Sequence, residues 1–197
     1  MGMVFGKIGV ETPEYKVVKS GDGYEVREYP PAVVAEFTYD PSEFKGNKDG
    51  GFTVLANYIG ALGKPHNEKP EKIAMTAPVI TKEGEKIEMT APVVTKEGGG
   101  KTVTMQFVLP AKYKTAEEAP RPTEERVVIK AEGGRRYGVV RFSGVATEAV
   151  VKEKAEKLRT DLEREGVKVT GDLVLARYNP PWTLPWCRTN EVMIPVE

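Results

Sequence analysis

Side chains able to bind a metal are few in this sequence. His66 is the only histidine and Cys187 the only cysteine among 197 residues. The imidazole of His66 is the best metal ligand available, although a lone histidine in a polar loop is also typical of a solvated residue. Met75 and Met89 carry thioether sulfur, but their alternating positions favour a buried apolar role. Cys187, beside Trp186, is either a thiolate ligand or a small buried residue.

The sequence lacks the common catalytic motifs. It contains no Gly-x-Ser-x-Gly, His-Glu-x-x-His, P-loop or Cys-x-x-Cys pattern. Catalysis would therefore have to use carboxylates, tyrosines or an exogenous cofactor. The motifs give no positive indication of an enzyme.

The composition is that of a folded protein with balanced charge. Lys plus Arg and Asp plus Glu both number 29, and 40% of the residues are hydrophobic. A chain without a basic field is not expected to attract nucleic acid or an anionic membrane. The N-terminal residues show no signal or transit peptide pattern, and a single cysteine fits a reducing compartment. These features predict a cytoplasmic protein without nucleic-acid or membrane partners.

A helix without charged residues stands before the first polar loop of the chain. The segment Phe52–Leu62 is predicted to be helical and to end at Gly63. Its apolar arc spans about 220 degrees, roughly twice what packing on a sheet requires. Phe52, Leu55, Ala56 and Ile59 form the centre of the arc, with Tyr58 on its flank. The helix is thus either buried on two sides by protein or one wall of an apolar cleft.

The loop at 179–188 is the second apolar feature. It contains both tryptophans of the chain, Trp182 and Trp186, together with Leu184 and three prolines. Because loops lie at the surface, an apolar loop of this kind needs something to cover.

A 14-residue sequence occurs twice in succession between Glu71 and Gly98. The copies differ at two positions, and odd-numbered residues are apolar in both, which is typical of a strand with one buried face. An even repeat length keeps the inward and outward parity, so one copy suffices for one strand. Each strand must end, bulge or reach an edge at Pro78 or Pro92. We predict that the second copy forms an extra hairpin.

The remaining elements predict an α+β fold. The order strand, strand, helix, strand, strand occurs twice, which favours an antiparallel sheet covered by helices. The predicted elements are a hairpin over 15–29, strands at 32–39, 102–109, 126–130, 137–142, 173–178 and 192–196, and a half-buried helix over 147–165. The strands at 126–130 and 137–142 flank a Gly133–Gly134 turn. We expect an arm at 1–14 and one domain at 15–197, with related halves at 15–116 and 124–197.

Several segments together resemble the SOUL haem-binding protein family, and most closely its plant cytosolic branch. They are residues 24–29, the 51–59 helix with Gly63 and Lys64, and residues 72–79, 107–110, 178–181 and 188–192. The resemblance implies a distorted antiparallel β-barrel with two main helices, built from a duplicated unit. It also implies binding of haem or another tetrapyrrole between the first helix and the loop before the last strand.

The resemblance assigns roles to the apolar residues described above. The implied lining is Phe52, Leu55, Ala56, Tyr58, Ile59, Trp182, Leu184 and Trp186, whose aromatic rings would stack on a flat macrocycle. The alternative is that the helix packs on the sheet and the loop covers it. Lys64 and Arg188 are the nearest cations for propionates, and His66 is the candidate iron ligand.

The sequence departs from the family at two places. Glu28 stands where some members carry a histidine proposed to bind iron, and the first helix lacks charge before Lys64. We therefore expect a tetrapyrrole-binding protein that buffers or transfers its ligand and holds it mainly by apolar contacts. The alternatives are a module that docks a tetrapyrrole-pathway enzyme and an enzyme acting on a tetrapyrrole.

Overall fold

One antiparallel sheet of nine strands organises the computed structural model, which describes residues 5–85, 101–180 and 182–197. The strands are β1 (Lys16–Ser20), β2 (Glu25–Tyr29), β3 (Ala32–Tyr39), β4 (Val79–Glu85), β5 (Lys101–Val108), β6 (Val127–Glu132), β7 (Arg135–Ser143), β8 (Val174–Arg177) and β9 (Thr189–Val196). The helices are α1 (Gly50–Ile59) and α2 (Glu148–Arg164). The sheet curls into a half-barrel, which confirms the predicted α+β fold.

The strand order has an internal twofold symmetry. It reads β1-β2-β7-β9-β8-β4-β5-β3-β6. Apart from β1, the order consists of two units, β2–β5 and β6–β9. If each strand of one unit is exchanged with its counterpart in the other, the same order results when read from the opposite end. The first strand of each unit pairs with a strand of the other unit, because β2 pairs with β7 and β6 pairs with β3. For this reason β6 and β7 flank the Gly133–Gly134 turn without pairing with each other.

Both helices pack on the same face of the sheet. Val79 in β4 packs against the core beneath α1 and pairs with Arg177 in β8. Leu175, two residues before Arg177 and on the same side of β8, packs against the core beneath α2. Paired residues of an antiparallel sheet point to the same side. The opposite, concave face is therefore free of both helices.

The first helix ends earlier than the sequence predicts. It stops at Ile59 because Gly60 adopts a left-handed conformation with φ 78° and donates its N–H to the last turn. A side chain at Gly60 would also collide with Pro65. The predicted end at Gly63 was wrong by three residues, since a glycine closer to the start already provides the C-cap.

The first copy of the repeat supplies a central strand. Val79–Glu85 pairs with β5, and its first three residues also pair with β8. The strand begins after Pro78 rather than ending there, because proline has no N–H for a ladder. Ile73, Met75 and Ala77 therefore precede the strand. The hairpin predicted for the second copy lies outside the described residues.

Candidate functional site

The concave face of the sheet encloses a cavity of about 590 Å³. Every strand from β2 to β9 contributes to its lining, so residues distant in sequence meet there. Its volume lies within the range of roughly 300–1,000 Å³ typical of small-molecule sites. A wider cleft of about 1120 Å³ continues from the cavity. The two share Tyr29, Arg135 and Tyr137 among their lining residues.

Tyrosines are the most prominent residues of the cavity wall. Tyr29 on β2 and Tyr137 on β7 form an edge-to-face pair with ring centroids 5.8 Å apart. Tyr15 lies against Tyr29 at 5.3 Å. Tyr113 and Tyr178 line the cavity as well. Aromatic rings of this kind offer stacking surfaces to a flat ligand.

A buried ion pair lies beneath these rings. Arg27 on β2 and Glu191 on β9 are both almost fully buried, and Nη1 of Arg27 lies 2.8 Å from Oε1 of Glu191. The other carboxylate oxygen of Glu191 accepts a hydrogen bond of 2.7 Å from the Tyr178 hydroxyl. Burial and the neighbouring Glu191 carboxylate raise the pKa of Tyr178. Tyr178 therefore stays protonated and can hold this carboxylate.

Side chains of β4, β6 and β7 form a second charged cluster. Glu132 contacts Arg135 at 2.7 Å, and Lys82 and Lys130 lie within 3.9 Å of it. Burial alone would raise the pKa of Glu132, but the charges of Lys82 and Arg135 outweigh burial and lower it. Burial also lowers the pKa of Lys82. This end of the cavity is thus polar, whereas the centre is aromatic and aliphatic.

The predicted helix residues lie on the other face of the sheet. Leu55, Ala56, Tyr58 and Ile59 are fully buried in a core formed with β3 and β5, and Phe52 is partly buried against Phe107. The chain after the helix covers its second side: Asn67 donates to the Tyr58 carbonyl, and the Tyr58 hydroxyl donates to the Pro120 carbonyl. Of the two alternatives stated above, burial on two sides by protein is the one observed for these four side chains.

The predicted loop residues are largely exposed. Trp182 and Trp186 are 64% and 69% exposed, and Leu184 is half-buried. Arg188 is half-buried and donates from Nε to the Thr183 carbonyl. Gly6 of the N-terminal arm packs against Cys187 of this loop, and the adjoining Phe5 is 68% exposed. The loop thus presents aromatic rings to solvent.

The predicted ligand and propionate residues are separated from the cavity. His66 and Lys64 are exposed, and the His66 backbone bonds to Asn57 and Thr123. Within the described ranges, neither they nor any other predicted site residue lines the two volumes on the concave face. No cluster of three or more His, Cys, Asp or Glu suited to a metal occurs in the part of the chain that the structure describes.

The residues that line the concave face were not predicted from the sequence. A signal was present in β9, where Glu191 and Met193 alternate with the apolar residues Val192 and Ile194. The alternation marks two faces that are both occupied. It does not show that strands so distant in sequence enclose one cavity.

The comparison with protein families identifies the class of this protein. The model of the SOUL haem-binding protein family matches residues 10–84 and 82–195. The chain therefore belongs to the SOUL haem-binding family, which implies haem as its ligand. The two matched stretches meet within the repeat. The assignment to the plant cytosolic branch stays a prediction.

Solved structures share the fold at low sequence identity. The C-terminal domain of EcmrR is 15% identical, with a TM-score of 0.54 over 93% of this chain and 98% of that chain. An uncharacterised conserved protein from Listeria innocua is 13% identical, with a TM-score of 0.57 over 88% and 92%. A hydrolase from the same organism is 14% identical, with a TM-score of 0.51 over 91% and 94%. These similarities show the fold alone.

A search of curated proteins found no match. Neither helix in the described ranges is long and apolar enough to span a membrane.

Proposed function

We propose that this protein binds haem or a related tetrapyrrole in the concave cavity and buffers or transfers it. The observation that supports this proposal best is the cavity itself, about 590 Å³ and lined by tyrosine rings and aliphatic side chains. A macrocycle would gain from stacking and from burial of its apolar surface. The family membership supports haem as the ligand.

The lining suits the macrocycle better than it suits the iron. Burial raises the pKa of Tyr29 to about 12, so its hydroxyl stays protonated at neutral pH. Phenolate rather than phenol is the form expected to bind iron strongly. Met193 offers a buried thioether, but none of the described residues that line the cavity is a histidine or cysteine. We therefore expect binding to depend little on iron coordination.

The placement can be tested by filling the cavity. Ala32 is half-buried on the cavity wall at the start of β3. Ala32→Trp places a large side chain in the space proposed for the ring, so we expect affinity to fall at least about tenfold, the equivalent of 1.4 kcal/mol. Titration of the variant and the native protein with haem, followed by the Soret band, measures this. A parallel titration with metal-free protoporphyrin IX tests the role of the iron.

Two variants serve as matched controls. His66→Ala removes the predicted iron ligand, and Trp186→Ala removes an exposed ring of the loop. Neither residue lines the cavity, so both variants should bind normally. If Ala32→Trp is folded and binds haem normally while Trp186→Ala does not, the ring lies at the helix and loop surface predicted from the sequence. If the native protein binds neither ligand, the proposed function is wrong.

A second candidate function is docking of a tetrapyrrole-pathway enzyme through the exposed rings of Phe5, Trp182 and Trp186. Their exposure of 64–69% favours it, because large exposed apolar rings often mark contact sites. Docking would be supported if the protein binds such an enzyme in the absence of haem and the double variant Trp182→Ala with Trp186→Ala does not. Turnover of a tetrapyrrole by the purified protein would instead indicate an enzyme.

Transfer is tested separately from binding. A buffering or transferring protein should release bound haem to apomyoglobin, which can be followed by the Soret band. Release no faster than loss to free solution would contradict transfer but leave binding intact.

A further inference from the structure

Two phenol hydroxyls in the cavity accept hydrogen bonds from arginines. Arg27 donates from Nη1 to the Tyr29 hydroxyl at 3.4 Å, and Arg135 donates from Nη1 to the Tyr137 hydroxyl at 3.2 Å. A hydroxyl that accepts a hydrogen bond keeps its own proton available for donation. Among the described residues, neither proton has an acceptor. The cavity therefore presents two hydrogen-bond donors that a ligand could use.

These donors lie close together and face the same space. Tyr29 and Tyr137 are diagonal neighbours on paired strands, since Tyr137 pairs with Arg27 and Tyr29 pairs with Arg135. Both line the inner cavity and the wider cleft. A group bound between them would lie where the inner cavity opens, with partial access to water.

The other tyrosines of the cavity differ in this respect. The hydroxyl of Tyr178 donates to Glu191, and that of Tyr113 donates to Glu71 at 3.1 Å. Their protons are already used within the protein. Only Tyr29 and Tyr137, among the tyrosines that line the inner cavity in the described residues, remain as free donors.

We propose that Tyr29 and Tyr137 donate hydrogen bonds to a carboxylate of the ligand, so that the cavity selects tetrapyrroles that carry a free carboxylate. This inference rests on the proposed function. A carboxylate has two acceptor oxygens and suits two adjacent donors. Hydrogen bonds to an ionised acceptor are stronger than those to a neutral one. The arginine behind each phenol polarises its O–H group in the direction that favours negative charge.

The nearby ion pairs limit the part played by net charge. Arg27 contacts Glu191 and Arg135 contacts Glu132, so neither guanidinium is an unpaired cation. Recognition then depends on the phenol donors rather than on long-range attraction. The preference for a carboxylate should therefore change little with salt, unlike binding to a cluster of exposed cations.

The test compares protoporphyrin IX with its dimethyl ester. Both are metal-free, and they differ only at the two carboxylates. Titrations followed by porphyrin fluorescence should show that the native protein prefers the free acid by at least about tenfold. The double variant Tyr29→Phe with Tyr137→Phe should reduce this ratio to near one without weakening ester binding. Tyr24→Phe is the matched control, because Tyr24 is buried in the core beneath α2 and lines neither volume, and it should keep the full preference.

Each outcome decides the inference. Equal binding of acid and ester by the native protein would overturn it while leaving tetrapyrrole binding intact. Survival of the preference in the double variant would also overturn it, as would an equal loss in Tyr24→Phe. If neither porphyrin binds to the native protein, this inference fails together with the proposed function. The native comparison needs no variant, so it remains decisive even if a variant does not fold.

Discussion

Replacing Glu191 by leucine should destabilise the protein strongly. In the native structure, the Glu191 carboxylate binds Arg27 at 2.8 Å and accepts from Tyr178 at 2.7 Å. Both charged side chains are at most 5% exposed, so water cannot replace the lost partner. Removing one member of a buried pair leaves an uncompensated charge and costs about 3–5 kcal/mol.

This cost can be measured as a shift of the melting temperature. For a chain of 197 residues, about 1 kcal/mol corresponds to roughly 2–4 °C. Glu191→Leu should therefore melt about 6–20 °C below the native protein. Thermal and urea unfolding followed by circular dichroism give the two independent measures.

The double variant Arg27→Met with Glu191→Leu tests the reason for the loss. It removes both charges together, so it should recover most of the stability lost in Glu191→Leu. Lys168→Ala is the surface control, because its partner Glu197 is 62% exposed and such pairs contribute about 0–1 kcal/mol. A double variant less stable than Glu191→Leu, or a loss below about 1 kcal/mol in Glu191→Leu, would refute the reasoning.

Three further predictions concern the core and the titrating groups. Leu55→Ala should lower the free energy of unfolding in urea by about 2–5 kcal/mol, because Leu55 is fully buried. Leu62 is 59% exposed, so Leu62→Ala should lower it by less than about 0.5 kcal/mol. Equal losses in the two variants would contradict the described packing. The hydrogen bond from Lys157 and the charge of Arg164 lower the pKa of Asp161 in the folded protein. The contribution of Asp161 to stability is therefore complete above the unfolded pKa of 3.8 and declines as pH falls through the folded pKa. Urea unfolding at acid pH should show a weaker pH dependence for Asp161→Asn, and an unchanged dependence would refute this assignment. Burial raises the pKa of Tyr29 from 10.0 to about 12, so its contribution to stability is complete below pH 10.0 and is lost as pH rises to about 12. In urea unfolding, Tyr29→Phe should therefore lose less stability over this range than the native protein does. A loss as large as that of the native protein would contradict the raised pKa.

The fold class could be predicted because local patterns determine most of the elements. In β5 the apolar residues Val103, Met105 and Phe107 alternate with polar ones, as expected where one face of the sheet carries a helix. In α2 one polar and one apolar face alternate with helical period, and its N-cap Thr147 was within the predicted segment. The end of α1 and the start of β4 were less predictable. Gly60 could lie within the helix or end it, and Pro78 could end a strand or precede one.

The candidate site could not be predicted from local sequence because strand pairing between distant segments creates it. Tyr29 and Tyr137 are 108 positions apart in the chain, yet they meet because β2 pairs with β7 in the other half. The charge-free character of α1 was compatible with a cleft or with a core. Tertiary packing by Asn67 and Pro120 resolved this ambiguity for the buried side chains of the helix.

The placement of both helices on one face gives each strand two separate tasks. Ile194 packs beneath α2, while its neighbour Met193 faces the cavity. Successive positions in this strand therefore have different surroundings, one packed under a helix and the next lining the cavity proposed to bind the ligand. Such a scaffold can change what it recognises through substitutions that leave the helix-covered core intact, and its relatives can diverge in binding while the architecture is conserved.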